Sequence, residues 1–180
     1  PSIAEQQVIA SFLDAKTKPI DDIIAKREKQ IKLLEEMKST IISRAVTKGL
    51  NPDAQMKDSG IEWLGEIPEH WDLLKLGRSF SSIGSGTTPK STNLNYYQNG
   101  NINWLNTADL NDSYITETSK KITQTAIDEF STLKEHPVDS IVIALYGATI
   151  GKLGHLKIPT TTNQACCVIS GSDKIQQRFL

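Results

Sequence analysis

The first 48 residues contain no Gly and, after Pro1, a single Pro, whereas every Gly, Trp and Tyr of the 180-residue chain lies at or beyond Gly49. A run of that length without turn residues has one ordinary outcome, a helix. Ser2 and Glu5 have the spacing of a capping box, in which side-chain oxygens satisfy first-turn amides. Val8, Ile9, Phe12 and Leu13 share one face. Pro19 lacks an N–H and crowds the preceding turn, so the spacing predicts a break or kink near residues 16–19. Thr17, Asp21 and Asp22 suit the start of a second segment. Beyond it Ile20, Ile24, Ile31, Leu34, Met37 and Ile41 keep a stripe spaced by threes, fours and sevens. Charged side chains cover most of the remaining surface. Gly49 and Pro52 then stop the helix.

An apolar stripe on a helix needs cover. Two readings stay open: packing against the chain's own globular part, or pairing with another long helix. A segment over residues 19–48 would be about 45 Å long, longer than a 130-residue globule is wide, which favours the rod. Arg27 in the seam departs from a strict coiled coil.

Residue types change near residue 50. The expected organisation is a helical spacer over 1–50, a linker and entry segment over 51–70, and a strand- and loop-rich mixed α/β domain over 71–180. The class is α+β. Leu73–Phe80 is expected to open the core and residues 84–89 to form a loop. Strands are expected at Asn101–Leu105, Tyr114–Thr116, Ser140–Leu145 and Ala165–Ile169, with helical turns at Thr123–Glu129 and a helix start at Lys174–Leu180. The chain stops at Arg178-Phe179-Leu180 without a capping or turn signal, as at a cut, so the domain reads as incomplete at its C-terminus.

Charge and motifs remove several functional classes. Lys and Arg number 20 against 21 Asp and Glu, a net of -1, which disfavours a generally basic nucleic-acid binder. Residues 1–50 carry +2 and residues 51–180 carry -3. No apolar run approaches the roughly 20 residues of a membrane span, and no signal peptide is evident, so a cytoplasmic location is expected. Adjacent Cys166 and Cys167 give neither a disulfide framework nor spaced zinc ligands, and His70, His136 and His155 lie far apart; no metal site is expected. Gly147-Ala148-Thr149-Ile150-Gly151-Lys152 has three residues between its glycines, and Leu153 follows the Lys, which excludes a phosphate loop. Neither a nucleophile elbow nor an amino-methyltransferase motif is present. No catalytic residue is assigned.

Polar loops remain. Thr87, Thr88, Lys90 and Ser91 form one. Asn106, Thr107 and Asp109 follow Trp104 in a second. Tyr146 and Lys152, with Asn163 and Gln164, make a third. Asn and Gln can bond adenine edges bidentately, Lys meets phosphate or guanine, and Thr and Ser bond either. Turns favour the same residue types for backbone reasons, and composition does not separate the two readings. Lys75, Arg78, Lys90, Lys120, Lys121, Lys152 and Lys157 are candidates for a phosphate patch or for plain solubility. Trp63, Trp71 and Trp104 are expected to pack the core.

Residues 57–71, Lys-Asp-Ser-Gly-Ile-Glu-Trp-Leu-Gly-Glu-Ile-Pro-Glu-His-Trp, closely resemble the entry to a target recognition domain in specificity subunits of type I restriction–modification enzymes. Residues 1–50 resemble the family's spacer helix. Gly84–Lys90 is similar to its Gly-x-Thr-Pro loop, with one extra Thr. Ile102–Leu110 is similar to its Ile-x-Trp…Asp-Leu segment. Tyr146–Lys152 and Thr162–Ala165 resemble two further elements.

The resemblance implies a non-catalytic DNA-reading chain. A whole specificity subunit of this kind has two recognition domains, each followed by a long helix, and the antiparallel helices act as a ruler between the halves of a split double-stranded DNA site. It implies methyltransferase and motor-nuclease subunits as partners, with S-adenosylmethionine, ATP and magnesium used there and no cofactor in this chain. It also implies a second specificity-type half, or self-pairing through Ile20, Ile24, Ile31, Leu34, Met37 and Ile41. A helical interaction module, or a remnant without sequence-specific DNA binding, is the competing expectation.

Overall fold

The computed structural model describes residues 1–177 and 179–180. The chain divides into two compact units, Pro1–Leu73 and Leu74–Leu180.

The first unit is dominated by one helix, α1 (Ile3–Lys48), of 46 residues and about 69 Å. The Ser2 hydroxyl accepts from the Glu5 N–H at 3.3 Å, as the capping pattern predicts. At the other end Gly49 takes φ 76° and its N–H bonds the Ala45 carbonyl at 3.2 Å. α1 continues as helix through Pro19, so the chain does not break at residues 16–19. Proline removes one intrahelical bond and costs about 3 kcal/mol in a helix interior. Here it is flanked by more than a dozen helical residues on each side, and propagation on both sides outweighs one missing bond. None of the helical residues is buried, and the stripe from Ile20 to Ile41 is 50–60% exposed. Within this unit, nothing covers it.

A hairpin follows, β1 (Met56–Asp58) against β2 (Glu66–Pro68). It is tied to the end of α1. Lys48 Nζ donates to the Glu66 carbonyl, and Gly49 lies against Pro68 and the Trp71 ring.

The second unit begins with a one-turn helix, α2 (Leu76–Ser79), and its described residues form eight strands in two sheets. Leu73, Leu74 and Leu76 are about half exposed, so the core opens at Ser79 and Phe80 and not at Leu73. β3 (Ser82–Ser85) takes in Gly84 and Ser85, which the composition placed in a loop; β10 (Cys166–Ser170) supplies its hydrogen-bond partner. β4 (Ile102–Leu105), β5 (Ser113–Ile115), β7 (Ile141–Ala144) and the helix α3 (Gln124–Glu129) lie where expected. β6 (Lys120–Ile122), β8 (Leu153–Leu156) and β9 (Thr161–Thr162) were not anticipated.

The larger sheet has the order β3-β10-β7-β8-β5, antiparallel except for β8 beside β5. The smaller has the order β6-β4-β9, with β4 and β9 parallel. Asn163–Ala165 joins β9 to β10 and so links the sheets. One core gathers Leu105, Leu110, Ile115, Val142, Leu156 and Val168. Cys166 sits in it, and burial pushes its thiol up to about 12. A second core holds Tyr96, Trp104, Ile122, Ala126 and Leu133.

Trp104 therefore packs as expected, but Trp63 is 83% exposed at the tip of the β1–β2 hairpin. The hairpin is too narrow to bury it. Ser172 bonds the amides of Lys174 and Ile175, and isolated turns follow, so the described part of Lys174–Leu180 does not start a helix. Arg178 in that stretch lies outside the described residues. No described helix is long and apolar enough to cross a membrane.

Candidate nucleic-acid interface

The strand pairings bring one set of ends together. Ser85 at the end of β3 pairs with Cys167, Ala144 at the end of β7 pairs with Cys166, and Leu105 ends β4 beside Thr162 at the end of β9. β5 and β8 both begin at this edge, at Ser113 opposite Gly154. Four connections leave it, at residues 86–93, 106–112, 145–152 and 163–165. All eleven sequence-predicted polar residues fall on them.

Hydrogen bonds to residues distant in sequence hold the first loop. The Gly86 N–H donates to Thr162 Oγ1 at 3.1 Å, and Trp104 Nε1–H to the Thr87 carbonyl at 3.1 Å. Thr88 Oγ1 bonds Gln164 Oε1 at 2.6 Å, and the Tyr97 hydroxyl donates to the Pro89 carbonyl at 2.5 Å. Gly86 has a second constraint, since a Cβ there would overlap the Thr162 carbonyl oxygen. Tyr97 and Trp104 meet edge to face with centroids 5.9 Å apart, and burial raises the Tyr97 hydroxyl above its usual range. Lys90 and Ser91 project beyond this frame and are exposed.

The second loop is braced by Asp109. Its carboxylate accepts from the Asn106 N–H at 2.9 Å and from the Ser119 N–H at 3.1 Å. Both oxygens are thus engaged by backbone amides. Asn163 Nδ2 donates to Asn106 Oδ1 at 3.4 Å, and Asn163 Oδ1 accepts from the Ala165 N–H at 3.1 Å. Thr107 is half-buried beside Asn106.

Tyr146 and Lys152 stand on the next turn, which leaves the sheet where the Leu145 N–H bonds the Ala165 carbonyl at 2.8 Å. Gly147 and Gly151, at φ 90° and 81°, close that turn. Tyr146 is 50% exposed and Lys152 is exposed; no hydrogen bond joins either to the other loops among the described residues. The loops therefore form one interlocked group (Thr87, Thr88, Asn106, Asp109, Asn163, Gln164) with Lys90, Ser91, Tyr146 and Lys152 at its margins.

β6 adds what the sequence reading left scattered. Its register sets Lys120 opposite Trp104 and Lys121 opposite Asn103. Both lysines line a cleft of about 370 Å³ with Thr88, Ser91, Tyr97 and Trp104. Lys157, by contrast, is occupied. Its ammonium lies 2.8 Å from Asp139 and 5.0 Å from the Tyr114 ring centroid. The Lys157 hydrogen bond holds the Asp139 carboxyl below the usual aspartate range, with His155 adding to it.

The unit boundary also redistributes the charge. Residues 74–180 carry ten basic and eight acidic residues, a net of +2. The deficit lies in residues 51–73, which hold six acidic residues and one basic, a net of -5. The acidic balance over 51–180 thus belongs to the segment before the loop-bearing unit.

Residues 68–180 match the family described as type I restriction modification DNA specificity domain. The chain is 33% identical over 96 residues to a putative type I restriction enzyme MjaX specificity subunit from Methanocaldococcus jannaschii, covering 53% of this chain and 21% of that protein. It is 25% identical over 129 residues to the EcoR124I/EcoR124II specificity subunit of Escherichia coli, covering 69% of this chain and 28% of the relative. The chain thus spans about a quarter of the curated relatives it matches. The HsdS subunit from Thermoanaerobacter tengcongensis shares the fold with a TM-score of 0.51 at 13% identity, over 98% of this chain and 39% of that one. A structure from work on assembly and conformational transition of the type I R-M system gives a TM-score of 0.53 at 15% identity, also over 98% and 39%.

Proposed function

The chain belongs to the family of type I restriction modification DNA specificity domains, and from that premise we propose that it reads one half of a bipartite double-stranded DNA site within a type I restriction–modification complex. The observation that carries this is the convergence of four polar loops on one strand-end edge, three of them interlocked through Thr88–Gln164 and Asn106–Asn163. Side-chain amides held by each other are preorganised to present fixed donors and acceptors to base edges. Lys90, Lys120, Lys121 and Lys152 supply phosphate contacts, which set register and do not themselves specify sequence.

In this reading the chain performs no chemistry. Methyl transfer from S-adenosylmethionine to adenine belongs to methyltransferase subunits docked on it, and ATP- and magnesium-dependent steps to motor-nuclease subunits, in the cytoplasm. The exposed stripe of α1 pairs with a second specificity-type half or with another copy of this chain, and so holds two readers at a fixed spacing.

Selection of duplexes from a randomised pool by the chain assembled with its methyltransferase subunit tests the proposal. Enrichment of a defined sequence that Asn106→Ala and Asn163→Ala abolish is the expected result. Recovery of unenriched DNA by the intact complex rejects it. A helical interaction module is the second reading, favoured by one observation: no residue of α1 is buried. It predicts assembly without any sequence enrichment.

A further inference from the structure

The turn between β7 and β8 carries apolar side chains where a turn has no use for them. Leu145 is 46% exposed, Tyr146 50%, Ile150 68% and Leu153 40%. One exposed apolar residue is ordinary, but a cluster of them on one loop marks a contact surface. Turns select Gly, Asn, Asp and Ser, and a β-branched Ile answers none of their backbone needs.

The turn holds these side chains in fixed places. The Ala144 N–H donates to the Lys152 carbonyl at 2.9 Å, and the Gly151 N–H to the Ala144 carbonyl at 2.9 Å. Inside that closure the Ile150 N–H bonds the Gly147 carbonyl at 3.2 Å and the Lys152 N–H the Thr149 carbonyl at 3.0 Å. Gly147 and Gly151 absorb the positive φ values, so Ile150 carries no backbone strain. The Thr149 hydroxyl is buried, whereas Ile150 beside it is the most exposed apolar side chain of the turn.

The charge around the turn suits a polyanion. No Asp or Glu occurs between Asp139 and Asp173, and Lys152 follows Ile150 by two residues. Asp112, which borders the turn, is engaged by the Leu153 N–H at 2.9 Å. The turn leaves the same strand-end edge as Asn106, Asn163 and Gln164. In an A·T pair the thymine 5-methyl group shares the major groove with the adenine N6 and N7 that Asn and Gln bond. It is the apolar feature of that groove, and amides do not read it. An edge that offers amides to adenine and a rigid aliphatic tip to thymine reads both bases of A·T pairs.

We propose that Ile150 is a specificity-determining residue that makes apolar contact with the 5-methyl group of a thymine in the half-site, with Tyr146 flanking it. This deepens the DNA-reading function above and rests on it.

The test uses the full chain assembled with its methyltransferase subunit and duplexes of the enriched sequence, in which each thymine in turn is replaced by uracil. Uracil deletes only the methyl group. At one position it weakens the parent complex about fourfold, as expected for one buried methyl. Ile150→Ala binds the thymine and uracil duplexes equally, and Ile150→Val keeps most of the discrimination. Uracil tolerated at every position, discrimination that survives in Ile150→Ala, or an enriched half-site without thymine overturns the contact. Loss of assembly by Ile150→Ala, measured without DNA, also overturns it and assigns the tip to a protein surface. Enrichment is scored first: its absence rejects the reading of all the loops, whereas enrichment without uracil sensitivity rejects the thymine contact alone.

Discussion

Gly86 and Thr162 are separated by 76 residues in sequence, yet the Gly86 backbone fits so closely over Thr162 that no side chain can be placed between them. Gly86→Ala must therefore displace the loop over residues 86–91 from Thr162 and Gln164. Overpacking of this kind costs about 1–3 kcal/mol. Lower denaturant stability with reduced DNA selectivity is expected. Gly84→Ala, two residues earlier and facing open space, should be close to neutral in both measurements.

Lysines and amides on this edge should separate by their salt dependence. Each phosphate contact contributes about 0.9 to the slope of log affinity against log salt. Lys120→Ala with Lys121→Ala should lower the slope by about one to two, with sequence preference intact. Asn106→Ala and Asn163→Ala should flatten the preference and leave the slope unchanged. Titrations of specific and scrambled duplexes across salt concentrations provide both readings.

Ile24, Ile31 and Leu34 are each at least half exposed on α1, so Ala at all three positions removes no core contact. The variant should keep its helical circular dichroism and lose assembly with helical partners, read by sedimentation or light scattering. Collapse of the fold would instead show that the stripe packs within a single chain.

Acid should weaken the second unit in two stages. Burial lowers the pKa of His136, so the unfolded chain takes up that proton first and stability declines as pH falls below the usual histidine range. Asp139 is depressed chiefly by the Lys157 hydrogen bond, so its contribution is present above the usual aspartate range and is lost as pH falls through its lower folded value. Asp139→Asn should be less stable than the parent at neutral pH and converge with it in strong acid. His136→Gln should remove the earlier stage. Urea midpoints across a pH series show both effects.

Elements that were legible in the sequence carry their own signal. α1 has its stripe, β7 (Ile-Val-Ile-Ala) and β10 (Cys-Cys-Val-Ile-Ser) are nearly continuous apolar runs, and β4 contains the buried Trp104. Those that were missed are defined by their neighbours. β6 is Lys-Lys-Ile, and only Ile122 is buried. β8 contains Gly154 and His155 and becomes a strand because β5 and β7 flank it. Gly84 and Ser85 look like a turn until β10 pairs with them.

The candidate residues were chosen by chemistry from loops far apart in sequence, and only the strand pairings show that these loops share an edge. Asp109 fits the same chemistry, and two backbone amides engage its carboxylate. Pro19 does not end the helix, because a local rule yields to a long cooperative helix. Residue type places Trp63 in the core, whereas its exposure depends on hairpin geometry, which residue type does not reveal.

The position of β10 has a consequence for how the chain is made. It lies between β3 and β7, so neither strand has that neighbour until residues 166–170 have left the ribosome. The nascent second unit must hold β3 without its partner through most of its synthesis, since residues 86–165 separate Ser85 from Cys166. A chain terminated a few residues before Cys166 would lack the strand that joins β3 to the rest of its larger sheet, and it would expose β3 and one edge of β7 to whatever chaperone or aggregate met them first.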